Sequence, residues 1–287
     1  MSLQRIIWLA SYPKSGNTWT RYFLAQYFMP PDERPGINDL RRFTLADVRQ
    51  DFFDKANGGP FHAQSFDEWL AIRPKALRLI AAARPGHHFV KTHCQIQRIG
   101  QVDVIPPDVT AAAIYIMRNP FDVVPSLSRH LSMPIDQTID RMLDPKCLNT
   151  TPTLIFETLG RWDHHVESWC STPGLLRHVI RYEDLILDTE KTFRGLLTYL
   201  QAPIQDGQLR RAIRASSFSK LQKQEKKDGF RERPTGMEQF FAKGTSGGWR
   251  NVLTPDQVAR IRAEFLPTLN TYYPEMLDET DAFARAG

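Results

Sequence analysis

The 287-residue chain carries 37 Lys and Arg against 32 Asp and Glu, a net charge of +5, and is 41% hydrophobic and 24% charged. These proportions are ordinary for a globular protein and exclude a disordered chain, a fibre or a coiled coil. No run approaches the ~20 apolar residues needed to span a bilayer, and Cys94, Cys147 and Cys170, with no C-x-x-C among them, argue against a disulfide framework and against a cysteine zinc site.

The first apolar run, Ile6 to Ala10, is too short for a secretory signal, so a cytoplasmic protein is expected. It reads as a buried strand, as do His88 to Lys91, Ala112 to Met117 and Arg177 to Arg181. Helices are expected between them over Thr18 to Phe28 and over Asp67 to Ala83, the latter bent at Pro74. Asn119-Pro120 reads as a cap and first-turn pair opening a helix to about His130. Thr153 to Cys170 and Thr189 to Leu200 read as amphipathic helices. Thr254-Pro255-Asp256-Gln257 is a capping box opening a helix to about Leu269. Pro31 to Phe66 and Lys220 to Gly248 read as irregular, the second polar and basic. The alternation predicts one α/β domain over residues 1–287, with a mostly parallel sheet flanked by helices.

Ser11-Tyr12-Pro13-Lys14-Ser15-Gly16-Asn17-Thr18-Trp19 follows the first strand and opens the first helix. Free N–H groups at a helix start favour an anion there; Gly16 permits close backbone approach, and Lys14 adds a cation. The lysine precedes the only glycine, so this is not G-x-x-x-x-G-K-[ST]. Arg118 stands at the end of the third strand with Ser126 eight residues on, at the edge where open α/β sheets bind ligands. Arginine there suits bidentate phosphate contact.

The loop resembles the Y-P-K-S-G-T-T-W phosphosulfate loop of the cytosolic-type sulfotransferases, with Asn17 in place of a threonine. Four more segments are similar to that family, in family order: Lys91-Thr92-His93, Arg118-Asn119-Pro120 with Asp122 and Ser126, Arg181-Tyr182-Glu183-Asp184-Leu185 with Ser216-Ser217-Phe218 after it, and Lys243-Gly244-Thr245-Ser246-Gly247-Gly248-Trp249. The resemblance implies a phosphate-loop-like fold and 3′-phosphoadenosine 5′-phosphosulfate (PAPS) as sulfuryl donor, with no metal. It makes His93 the general base, with Lys14 and Lys91 assisting. Lys14, Ser15, Gly16, Asn17 and Thr18 would hold the 5′-phosphate, and Arg118, Ser126, Lys243 and Gly244 the 3′-phosphate. Trp19, Tyr182, Ser216 and Phe218 would surround the adenine. Ala242 and Gly248 replace a family arginine and aspartate, which leaves Arg231 or Arg233 to compensate.

The overall plan resembles bacterial members, some of which modify secondary metabolites. A family dimer motif is not preserved at Arg250, Thr254, Pro255 and Ala259, so oligomeric state stays open. A small-molecule alcohol or phenol is the expected acceptor, with no nucleic acid and no membrane as partner. Residues Pro31 to Phe66, Leu131 to Thr151 and Gly229 to Phe241 are expected to shape its pocket. Met133 to Pro152 is a candidate lid, and Phe52, Phe53, Phe61, Trp69, Phe240 and Phe241 are candidate lining residues. Two rival readings are an atypical nucleotide-dependent kinase and a nucleic-acid-binding module using the basic 220–233 stretch.

Overall fold

The computed structural model describes residues 5–153, 155–234, 236–241 and 244–286. In chain order the elements begin with β1 (Arg5–Ser11), α1 (Asn17–Phe28), β2 (Leu45–Ala46), α2 (Gln50–Asn57), α3 (Phe66–Ala81) and β3 (His87–Thr92). A small hairpin, β4 (Arg98–Ile99) and β5 (Val102–Asp103), leads to β6 (Thr110–Met117), α4 (Pro120–Leu131) and α5 (Ile135–Leu143). A second hairpin, β7 (Leu148–Thr150) and β8 (Phe156–Thr158), precedes α6 (Trp162–Ser171), β9 (Arg177–Arg181), α7 (Tyr182–Leu187) and α8 (Thr189–Tyr199). The chain closes with α9 (Asp206–Ala215), α10 (Phe218–Asp228), α11 (Pro255–Tyr272) and α12 (Glu275–Ala286).

Five strands form a parallel sheet in the order β2-β3-β1-β6-β9. Both faces are covered, and residues alternate between two cores. Trp8 and Tyr115 pack on one side with Trp169; Leu9, Ile114 and Ile116 pack on the other with Phe23 and Phe193. Two-sided burial explains why these strands are near-continuous apolar runs. Parallel pairing brings Ser11, Thr92, Met117 and Arg181 to one edge of the sheet. The four expected strands are all present, and the Asn119 and Thr254 caps form as read: Asn119 accepts from the Asp122 N–H, and Thr254 with Gln257 completes its capping box.

Three expectations need correction. Thr153 to Cys170 is not one helix: residues 156–158 form β8, paired antiparallel with β7, and helix begins only at Trp162. The cross-strand pairing of Asn149 with Glu157 outweighed the helical periodicity of the segment. Lys220 to Gly248 is not wholly irregular, because α10 occupies Phe218–Asp228, burying Leu221 and Glu225. Pro31 to Phe66 holds a 3-10 turn over Ile37–Arg42, the edge strand β2 and α2.

Beneath the end of β3 lies a buried ion pair. Arg73 on α3 reaches Asp47, just after β2, at 2.6 Å, and both side chains are sealed from solvent. Arg73 also donates to the Val104 carbonyl (2.9 Å). Asp47 accepts from the Thr92 hydroxyl (2.8 Å), which accepts from the Cys94 N–H (3.0 Å). Burial opposes the Arg73 charge, but its electrostatic interactions with Cys94 and Asp47 and its hydrogen bond to Asp47 outweigh that and raise its pKa. Removing one partner strands a buried charge, at a cost of roughly 3–5 kcal/mol. Asp47→Ala should therefore lower the urea midpoint far more than Asp47→Leu combined with Arg73→Met. Equal losses in the two variants would contradict this account of the pair.

Candidate active site

The sheet edge opens into a cleft of about 690 Å³, a size suited to small ligands. β1 and α1 supply its floor. Lys14 (φ 70°) and Gly16 (φ 103°) both lie in the left-handed region on either side of Ser15, a backbone form that turns successive N–H groups toward one anion. Gly16 caps α1 without a side-chain bond, so the first N–H groups of the helix have no internal acceptor. A Cβ at Gly16 would fall 2.7 Å from the Tyr182 ring, so the loop needs glycine for space as well as for φ.

His93 follows β3 and lies on the cleft wall. Its Nδ1 is 2.7 Å from the Ser11 carbonyl and 3.2 Å from the Ser11 hydroxyl. A carbonyl only accepts, so Nδ1 carries the proton and Nε2 keeps a lone pair. Burial and then Lys91 push the His93 pKa down to about 3, so the imidazole is neutral. His165 backs this segment. The Tyr115 hydroxyl meets His165 Nδ1 at 2.9 Å, and His165 Nε2 donates to the His93 carbonyl at 3.1 Å. Burial pushes His165 to about 3 as well. Its structural work falls on the His93 segment.

Cations converge here. Lys14, Lys91, Arg118 and Arg129 all line the cleft. Burial first, then the charges of Arg129, Arg118 and Lys91, lowers the Lys14 pKa to about 7, and its ammonium rests 3.6 Å from the Phe240 ring centre. Arg118 lies over the Tyr182 ring at 4.3 Å. Three acids line it as well, Asp122, Glu157 and Glu232. Burial opposes the Glu232 charge, but Arg21 and Lys91 outweigh that and hold the carboxyl at about 2; Arg21 binds it at 2.7 Å.

Asp122, in the first turn of α4, organises the far rim. It accepts from the Gly247 N–H (2.7 Å), the Ser246 hydroxyl (3.1 Å) and the Trp249 N–H (3.2 Å). A side chain at Gly248 would start 4.0 Å from the same carboxylate, so an aspartate there would face a like charge. Gly244 (φ 60°) touches Phe218: a Cβ would fall 2.5 Å from that ring.

Lys14, Gly16, Asn17, Thr18, Trp19, Lys91, His93, Arg118, Ser126, Tyr182, Phe218 and Gly244 all line one cleft. Three sequence-based assignments are not brought there as side-chain donors. The Ser216 hydroxyl is buried and bonds the Ala212 and Ile213 carbonyls, capping α9 instead. The Asn17 amide turns back to the Leu9 carbonyl and the Ser11 hydroxyl, leaving only its backbone for the cleft. The Ser15 side chain is fully buried and outside the lining. Lys243 and Ala242 lie outside the described residues. Phe240 and Phe241 reach the cleft, whereas Phe52, Phe53, Phe61 and Trp69 belong to the core. Asp122, His165, Glu232 and Arg129 were missed. The Asp122 role alone had a signal, its place in the R-N-P-x-D string.

The family model described as "Sulfotransferase domain" matches residues 4–272. The chain belongs to the sulfotransferase family. It is an enzyme of that family. Sulfotransferase 1A1 of Rattus norvegicus is 24% identical over 278 residues, covering 91% of this chain and 83% of that one. Cytosolic sulfotransferase 15 of Arabidopsis thaliana is 26% identical over 280 residues, covering 91% and 71%. Mouse sulfotransferase SULT7A1, solved with 3′-phosphoadenosine 5′-phosphate (PAP), superposes with a TM-score of 0.62 at 18% identity, covering 98% and 90%. Retinol dehydratase in complex with retinol and PAP gives 0.63 at 19% identity, covering 94% and 82%. These superpositions show the shared fold. Family membership removes the reason to read the loop as that of a kinase. Among the described residues no helix is long and apolar enough to cross a membrane.

The neutral histidines give the site a pH signature. His93 and His165 sit at about 3 and His130, lowered by burial and then by Lys14 and Lys91, at about 4. All three lie below the unfolded value of ~6.5. Below pH ~6.5 the unfolded chain therefore binds more protons than the folded one, and stability falls as pH falls toward these values. The urea midpoint should drop from pH 7 to pH 5, with a shallower slope in His165→Gln. A midpoint flat across that interval rules the idea out.

Proposed function

We propose that residues 1–287 form one cytoplasmic sulfotransferase domain that transfers the sulfuryl group of PAPS to a hydroxyl, or an amine, of a small molecule. The supporting observation is His93: its Nδ1 proton is fixed on the Ser11 carbonyl, so Nε2 carries the free lone pair in a cleft that Lys14, Lys91, Arg118 and Arg129 also line. The sulfotransferase and retinol dehydratase neighbours are solved with PAP, the retinol dehydratase also with retinol, an alcohol. That favours an alcohol or phenol acceptor here.

The residues fit the donor. The cations of the cleft suit its phosphates and sulfate. Among the described residues, Trp19 Nε1 and Arg118 Nε are buried without a partner in the cleft that a purine and a phosphate would enter. Trp19, Tyr182 and Phe218 offer aromatic faces and edges to the base. The loop N–H groups and Lys14 would hold the 5′-phosphate, and Arg118 and Ser126 the 3′-phosphate.

In the reaction, His93 Nε2 removes the acceptor O–H proton as the acceptor oxygen bonds to sulfur. The bond from sulfur to the 5′-phosphate oxygen breaks, and PAP leaves with that electron pair. Lys14 meets the charge growing on the leaving phosphate, and Lys91 the sulfuryl oxygens. Positioning the three atoms in line is the remaining work of the cleft. Lys14, lowered to about 7 without a ligand, gains its full charge as the anion arrives.

His93→Ala should cut turnover of a phenol with labelled PAPS by roughly 10²-fold or more, while calorimetry finds PAP affinity retained. Near-normal turnover in that variant would refute the general-base role. If the wild-type chain binds neither PAPS nor PAP at millimolar concentration, the donor assignment fails.

A further inference from the structure

The cations of the cleft are not equally available. Arg118 is largely committed: its guanidinium donates to the Lys14 carbonyl (3.3 Å) and the Thr245 carbonyl (3.1 Å) and lies 3.8 Å from the Asp122 carboxylate. Arg141 donates to the Leu148 carbonyl (2.5 Å) and the Asn149 side chain (2.7 Å). Arg233 donates to the Glu238 carbonyl (2.7 Å) and pairs with Glu225. Neither Arg233 nor Arg231 is among the cleft-lining residues.

Arg129 differs from all of these. It lines the cleft, and among the described residues its guanidinium has neither a hydrogen bond nor an ion pair. It stands three residues after Ser126 on α4, one turn along the same helix face. Two electrostatic couplings locate it: its charge weighs on Lys14 more than that of Arg118 or Lys91, and after burial the Arg118 charge is what lowers Arg129 itself. Arg129 lines the same cleft as Lys14 and Arg118. Like charges only partly offset by Asp122 and Glu232 repel one another, so the arrangement favours an incoming anion.

We propose that Arg129 is a donor-binding residue that, with Arg118 and Ser126, holds the 3′-phosphate of the nucleotide. The proposal rests on the PAPS reading above. A terminal phosphate has three free oxygens and about two negative charges. Arg118 alone, with two backbone carbonyls and a carboxylate already beside it, does not match that demand. Arg129 supplies an unspent planar fork of donors for it.

Calorimetry with PAP and with adenosine 5′-phosphosulfate, which lacks the 3′-phosphate, tests the proposal. Arg129→Ala should weaken PAP binding roughly 10- to 100-fold and leave adenosine 5′-phosphosulfate binding unchanged. Arg129→Lys should recover part of the loss. Arg129 is exposed as a residue, and an unchanged thermal midpoint in both variants confirms the fold. Undiminished PAP affinity in Arg129→Ala overturns the inference. Equal weakening of both nucleotides moves Arg129 to the 5′ end and overturns it too. If the wild-type chain fails to bind PAP, the donor reading falls instead.

Discussion

The site depends on a buried ion pair that touches no part of the cleft's mouth. Asp47 and Arg73 join the turn after β2 to α3, and Asp47 holds the Thr92 hydroxyl. Thr92 is the last residue of β3, and His93 is the next. A carboxylate fixed under that strand end therefore sets where the imidazole leaves the sheet. Two further bonds complete the placement: Nδ1 to the Ser11 carbonyl, and His165 to the His93 carbonyl. The orientation of one histidine is thus shared among β1, β3, α3 and α6. A buried pair is an expensive way to gain stability; here its geometry fixes a strand end, which an apolar pair of similar volume would do less sharply.

The cleft itself is held in a state of electrostatic tension. After burial, the charges of Arg129, Arg118 and Lys91 lower the Lys14 pKa, and that of Arg118 lowers Arg129. The protein offsets this only in part. Asp122 spends its charge on the loop 246–249 as well as on Arg118. Glu232 spends its charge on Arg21. Both carboxylates fasten structure around the cations without filling the space where an anion would lie. The sheet core supplies the rigidity that keeps these charges from moving apart.

The sheet was legible in the sequence because both of its faces are buried, so every strand is a compact apolar run bounded by polar residues. The two caps were legible because their bonds are local, between residues three apart. Helix against hairpin at 153–170 was not, because the deciding pairing of Asn149 with Glu157 is made across a turn. The placement of residues in the cleft was readable where a local motif carried it, as for Lys14, Gly16 and His93, which all line it. It failed where the same residue type had a nearer partner: Asn17 found the Leu9 carbonyl and Ser216 the Ala212 carbonyl. Arg129 and Glu232 carry no local pattern at all; only the folded chain brings them to His93 and Lys14.

On the proposed reading the cleft has a donor half and an acceptor half, and the two are built from different material. The donor half rests on β1, β3, β6, the start of α4 and α7, rigid elements around a two-sided core. The other half is lined from α5, the β7–β8 hairpin and the segment 232–241: Arg141, Asn149, Glu157, Glu232, Phe240 and Phe241. Among the described residues none from 31–66 joins them, so a smaller part of the chain than the sequence suggested faces the acceptor. Arg141 fixes the Asn149 side chain, and Asn149 in turn bonds Glu157. On the proposed reading, an acceptor would meet these linked polar side chains as well as the two phenylalanines, rather than a uniformly apolar pocket. Loop and hairpin substitutions can change that lining while the sheet edge that positions His93 stays as it is.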